Sequence, residues 1–374
     1  MRTSDPVKRT VPEAVPKTAP QIVHKTIHKT IPKVAFFLLL LCCLNGLLSW
    51  LLEPYRSSSQ EMWQGFHAAD GIDTIYTGTS QCLQGIDPAA VDAVYGTHSY
   101  NMATNMQSLA NSRAAIEAAI QEYSIRCAVL VVDHEILNVS RSDNARADQS
   151  FWHGKAVSES SLAARLRDDL TFMTSDAFFD TPSSLTYLTP WVYNRTSNLR
   201  RNMQEKLSGQ VLDSEGHRTS SGYQPSSAEL DPSIEFITWD EAEEWDQVAV
   251  SLQGLSISED NLSELTAIRD LCHDNNVELI VVIIPYPNWL SIYRKAELIQ
   301  VDHQLQDLFG SADYNFYDFN LLLPEYYDAS GNDKYSDVGH MNSKGAAQFS
   351  AFLGQFLQER AAGTDVDGWF RAVE

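Results

Sequence analysis

The chain has 374 residues, with 49 acidic against 27 basic side chains and a formal charge of -22. Such a balance excludes nucleic acid as a partner, because a polyanion needs a basic footprint to release its counterions. A hydrophobic content of 44% excludes a disordered chain, and the length suits one large or two modest domains.

Residues 1–33 carry seven Lys/Arg and two acids, whereas the remainder carries 20 basic and 47 acidic side chains. This leader, with its two His-Lys-Thr-Ile steps from His24 and His28, reads as a disordered basic cytoplasmic segment drawn to anionic lipid. Residues 34–52 follow without a single charge, long enough to cross a hydrocarbon core of about 30 Å as one helix. Basic residues before the segment and acidic ones after it place the N-terminus in the cytoplasm and the remainder outside, with Trp50 at the outer interface. A cleaved secretory signal is the alternative, opposed by the length of both the apolar run and the leader. Cys42 and Cys43 lie in this run, which leaves Cys82, Cys127 and Cys272 and room for at most one internal bridge.

Residues 53–70 read as a linker. The run 72–77 has the branched content of a buried strand and passes directly into Gly78-Thr79-Ser80. Asp87-Pro88 opens a helix that Gly96 closes, and a second helix spans about 106–123. Residues 127–132 form a short continuous apolar run, as in a parallel strand covered on both faces, ending at Asp133-His134-Glu135. From about 138 to 246 the chain turns polar, with scattered tryptophans and helices near 160–171 and 198–206; this reads as a large insertion over the carboxyl edge of the sheet. Strand-helix alternation resumes with a helix near 262–272, a strand at 277–284 stopped by Pro285-Tyr286-Pro287, a weaker strand near 316–319 and a final helix at about 342–360. Residues 361–374 form a tail. The pattern predicts a three-layer α/β/α doubly wound parallel sheet over about 71–360, preceded by one transmembrane helix.

A serine on a tight turn after the first strand sits where such sheets bind ligands. In Asp337-Val-Gly-His340 the carboxylate can hold one imidazole nitrogen while the other faces that serine. Ser80, His340 and Asp337 are therefore predicted as nucleophile, general base and orienting acid. Asp133, His134 and Glu135 read as polar lining at a strand end or as support behind the site, with a metal site as the alternative; no CxxC or Cys/His metal spacing occurs, so no metal or cofactor is expected. His134, Tyr286, Asn288 and Trp289 are expected to line a substrate cleft, the aromatics stacking on a sugar ring.

Three segments resemble the blocks of the SGNH (GDSL-type) hydrolase superfamily: Thr77-Gly78-Thr79-Ser80, Tyr100-Asn101-Met102-Ala103-Thr104-Asn105, and Asp337 to Ala346. More narrowly the chain looks like the membrane-anchored surface branch that includes the D-alanyl-lipoteichoic-acid transfer protein and bacterial polysaccharide O-acylation proteins. The resemblance covers roughly residues 70–137 and 260–358. It implies a serine acyl-enzyme, with oxyanion-hole donors from Ser80 and from among Ala103, Thr104 and Asn105. It also implies the lipid bilayer, a membrane-bound O-acyltransferase and a cell-surface glycan or teichoic acid as partners. Two departures stand out. The second block lacks its usual glycine, and Asp133-His134-Glu135 replaces the Gly-x-Asn-Asp that supplies an asparagine donor. Loss of one such donor costs about 10²–10³ in rate, which favours a slow or partner-dependent acyl-transfer enzyme over a fast hydrolase. A non-catalytic scaffold or glycan-binding partner is the alternative.

Overall fold

The computed structural model describes residues 19–139, 144–179, 183–212, 216–234, 239, 254–286, 293–310 and 315–372. The chain divides into two compact units, Met1–Leu52 and Glu53–Glu374. In the first, helix α1 (Ala19–Leu52) contains a stretch, Thr30–Leu52, long and apolar enough to cross a membrane.

The second unit is built on five strands, β1 (Thr74–Gly78), β2 (Ser99–Asn101), β3 (Cys127–Val131), β4 (Glu278–Ile283) and β5 (Asn315–Asp318). They form a mixed α/β arrangement around one all-parallel sheet in the order β2-β1-β3-β4-β5. Every residue of β1 and β3 is buried, which explains why they appear as unbroken apolar runs rather than alternating ones. The order reverses between β1 and β3, and the carboxyl ends of strands at such a reversal form the crevice where open α/β sheets take ligands.

The connections are helical: α2 (Ser58–Ala68), α3 (Ser80–Gly85), α4 (Pro88–Tyr95), α5 (Leu109–Glu122), α6 (His134–Asn138), α7 (Ala145–Ser158), α8 (Leu162–Met173), α9 (Asp176–Phe179), α10 (Leu199–Ser208), α11 (Glu259–Asp274), α12 (Lys295–Phe309) and α13 (Ser343–Ala361). Local chemistry sets several boundaries. Asp87 caps α4 through the Ala89 N–H with Pro88 in the first turn, and Gly96 closes it in the left-handed conformation. Asn342 caps α13 through the Lys344 and Gly345 N–H groups.

Side chains alternate between two cores. Ile75, Ala128, Leu130, Leu279, Val281 and Ile283 face one, with α2, α5, α11 and α12 against it. Tyr76, Val129, Val131, Ile280 and Val282 face the other, closed by α3, α4 and the phenylalanine stripe of α13. A small separate cluster of Phe172, Phe178 and Tyr187 lies in the segment expected as an insertion.

Residues 53–70 depart from expectation. They hold α2, whose Met62, Trp63 and Phe66 are fully buried in the first core. Strand β2 and helix α12 were likewise not anticipated. The expected strands near 72–77, 127–132, 277–284 and 316–319 all form, with ends displaced by at most two residues.

Candidate active site at the sheet reversal

Ser80 begins α3 two residues beyond β1, and the turn that puts it there depends on Gly78. Its φ of 150° is unfavourable for any side chain, and a Cβ at this position would lie 2.2 Å from the Val131 carbonyl of β3. Thr79 then caps α3, and its hydroxyl donates to the buried Asp133 carboxylate at the end of β3. The turn that carries Ser80 is thus pinned to both strands of the reversal.

His340 comes from the other end of the chain, just before α13. Ser80 Oγ lies 2.7 Å from His340 Nε2, and His340 Nδ1 lies 2.8 and 3.0 Å from the two Asp337 oxygens. The Gly339 N–H holds the same carboxylate at 2.8 Å. The three residues predicted from separate motifs therefore meet in one hydrogen-bonded chain, in the order needed to pass a proton from hydroxyl to imidazole.

The electrostatics suit that order. The hydrogen bond from Asp337 raises the His340 pKa above its ordinary value despite partial burial, and the charges of Asp337, Asp133 and Glu135 act in the same direction. Burial alone would raise Asp337, but its bonds to His340 and Gly339 outweigh burial and hold it below the usual carboxylate range. An imidazolium formed at His340 is thus stabilised by three carboxylates.

The oxyanion side is narrower than expected. Ala103 N–H donates to Asn101 Oδ1 at 3.0 Å, and Thr104 N–H donates to the Gly78 carbonyl at 3.2 Å. Both backbone donors are committed, a correction to their expected role. The Ser80 N–H remains, because the first N–H groups of a helix have no intrahelical acceptor. Asn105 is exposed on the turn that hangs from Gly78; it lines a cavity of about 550 Å³ with Ser57, Ser58, Arg146, Ser150 and Asn194, and neither Ser80 nor His340 is among the lining residues.

The expected sugar-binding aromatics fare differently. His134 and Tyr286 are buried and bonded to each other, His134 Nδ1 to the Tyr286 hydroxyl at 2.6 Å, so they belong to the interior and not to a cleft wall. Asn288 and Trp289 lie outside the described residues. Burial pushes His134 down to about 3, which keeps its imidazole neutral. Of the two roles expected for Asp133, lining and support, the structure shows support: it caps α6 through the Ile136 N–H and grips Thr79, and burial raises its pKa.

Two residues outside the three motifs shape the site. Arg218 donates to the carbonyls of Ser58, Ala103 and Gly222 at 2.8, 2.6 and 2.8 Å. Beside it Gly222, at φ 85°, packs so closely that a Cβ would lie 2.3 Å from the Asn101 carbonyl. Asn101, fully buried, returns its amide to the carbonyls of Cys82 and Ile86 at the end of α3. Asn101 and the loop at 218–222 thus brace α3, which Ser80 begins, from behind. Neither belongs to a motif that sequence reasoning tied to the site. The three cysteines of this unit are buried and free, and burial raises each thiol, so none offers a nucleophile or a bridge.

No protein-family model matches the chain, and no curated protein is similar to it.

Proposed function

We propose that the protein is a membrane-tethered serine acyl-transfer enzyme of the SGNH type that works outside the cytoplasm. Its substrate is an O-acyl group, acetyl or D-alanyl, of a cell-surface polysaccharide. The observation that carries this reading is the continuous Ser80–His340–Asp337 hydrogen-bond chain at the reversal of a parallel sheet.

Ser80 Oγ attacks the acyl carbonyl while His340 Nε2 takes its proton, and the Asp337 carboxylate holds Nδ1–H and balances the imidazolium. The Ser80 N–H, with Asn105 as second donor, meets the developing oxyanion. The acyl C–O bond breaks, His340 returns the proton to the departing hydroxyl, and an acyl-serine remains. A glycan hydroxyl, deprotonated by His340, then takes the acyl group and frees Ser80. The net charge of -22 favours a neutral glycan over phosphate-rich teichoic acid as acceptor at low salt. A basic leader before Thr30–Leu52 and an acidic unit after it support the outward orientation, in which the anchor keeps Ser80 beside a membrane-bound O-acyltransferase donor.

Reaction with a serine-directed fluorophosphonate tests the reading in native membranes. A single adduct on Ser80, absent from Ser80→Ala and His340→Ala, is the expected result. The committed Ala103 and Thr104 N–H groups favour a second reading, a scaffold that kept the fold without the chemistry. Wild-type protein that stays unlabelled in native membranes establishes that second reading.

A further inference from the structure

Three residues far apart in the chain converge beside the serine site, at the carboxyl ends of β3 and β5: His134, Asp302 and Asp318. One ring nitrogen and one oxygen from each carboxylate lie within 4.8 Å of one another, and all three residues are buried. Asp302 is 4% exposed and Asp318 3%.

Their bonding is incomplete on one side only. Asp318 accepts at Oδ1 from the backbone and side-chain amides of Asn320, both at 2.8 Å, and its Oδ2 has no partner. Both oxygens of Asp302 have none, although the residue sits on the core-facing stripe of α12 among Leu298, Val301, Leu305 and Phe309. Three of the four oxygens of these two buried, facing carboxylates lack a donor, a large cost that a shared proton or a bound cation must answer. Among the described residues no lysine or arginine bonds either carboxylate. A divalent cation answers it, since two carboxylates and a neutral imidazole around a double positive charge leave no net charge in the core.

We infer that His134, Asp302 and Asp318 form a binding site for a divalent cation of borderline softness, Zn²⁺ or Mn²⁺. One imidazole with two carboxylates suits these ions better than the all-oxygen shells of Mg²⁺ or Ca²⁺. Ligand atoms around a tetrahedral ion bound at about 2.0–2.2 Å stand roughly 3.3–3.6 Å apart, so the three side chains must draw together by up to about 1.4 Å from their present spacing to close on it. The bond from His134 Nδ1 to the Tyr286 hydroxyl orients the ring and assigns Nε2 to the ion, the outer-shell arrangement that ligating histidines use. A cavity of about 300 Å³ lined by Asp302, Asp318, His303, Gln306 and Asp367 gives entry from solvent. The bound ion ties α12 and the end of β5 to the end of β3, next to the Asp133 that holds Thr79. This site stands independently of the acyl-transfer reading.

The test uses full-length protein in detergent, stripped with a chelator, exchanged into Zn²⁺ or Mn²⁺ and desalted, with bound metal counted by mass spectrometry. Wild type is expected to keep one equivalent and to unfold at a higher temperature with metal than without. Asp302→Asn and Asp318→Asn are expected to weaken binding a hundredfold or more. Equal retention by both variants assigns the metal elsewhere, His24 and His28 of the leader included, and overturns the site. So does wild type that retains none. Should the variants fail to fold, pulsed electron paramagnetic resonance of Mn²⁺ on wild type decides: coupling to one imidazole nitrogen is expected, and its absence refutes the site.

Discussion

At the scale of single residues, the proposed chemistry turns on how His340 is held. Its folded pKa lies above the ordinary value of about 6.5 because Asp337 binds it and Asp133 and Glu135 add their charge. A general base works neutral, so fluorophosphonate labelling of Ser80 should fall as pH drops through a midpoint above 6.5. Asp337→Asn should move that midpoint down and slow labelling by about 10⁴-fold, the usual loss when a triad carboxylate becomes an amide. A pH–rate profile of both proteins checks this; an unmoved midpoint would separate Asp337 from the base. The same shift acts on stability with the opposite sense. Protonated His340 contributes fully below the unfolded value and the contribution disappears as pH rises through the folded one. Asn105 carries a separate expectation. If it is the second oxyanion donor proposed above, its replacement by alanine should cost about 10²–10³ in labelling rate, with Ala103 and Thr104 N–H groups already engaged. Ser80, Asp337 and His340 were legible in the sequence because each belongs to a short motif whose spacing is itself the geometry. Asp302 and Asp318 were not: each is a lone aspartate, and only tertiary packing brings them to His134, 168 and 184 positions from it.

At the scale of elements, the strands that were legible are the ones buried on both faces, where branched apolar residues must run without interruption. Strand β2 escaped because it has three residues, Ser99-Tyr100-Asn101, whose polar ends are satisfied by bonds to Asp92 and to Cys82 and Ile86 rather than excluded from the core. Helix α2 escaped for the opposite reason. Its stripe of Met62, Trp63 and Phe66 is short and set among Ser, Gln and Glu, so it resembles a polar linker until α7 and α5 are placed against it. Trp63 packs edge-on against both Phe66 and Phe151 with its ring fully buried. Trp63→Ala should therefore destabilise the protein by about 3–5 kcal/mol, whereas Leu162→Ala, at a residue 72% exposed, should stay within about 0.5 kcal/mol. Chemical denaturation of the two variants measures the difference. Equal midpoints would return residues 53–70 to the role of a linker.

At the scale of the whole molecule, the division of charge and the division of structure fall close together in the chain. Seven of the 27 basic residues precede position 34, and the compact second unit begins at Glu53. A charged domain of this size is carried across a bilayer largely regardless of its own acidity, while the Lys/Arg cluster beside the apolar helix sets which end stays behind. The proposed orientation therefore depends on seven side chains and not on the -22 of the whole. Protease added to intact cells should remove the second unit and spare a fragment ending near the helix. Replacing Lys25, Lys29 and Lys33 with glutamine should weaken that bias and protect a fraction of the second unit, without touching its core. Complete protection of the wild type would place Ser80 on the cytoplasmic side, away from any surface polysaccharide. The acyl-transfer reading would then have to find its acceptor among cytoplasmic hydroxyls, even if Ser80 still reacts.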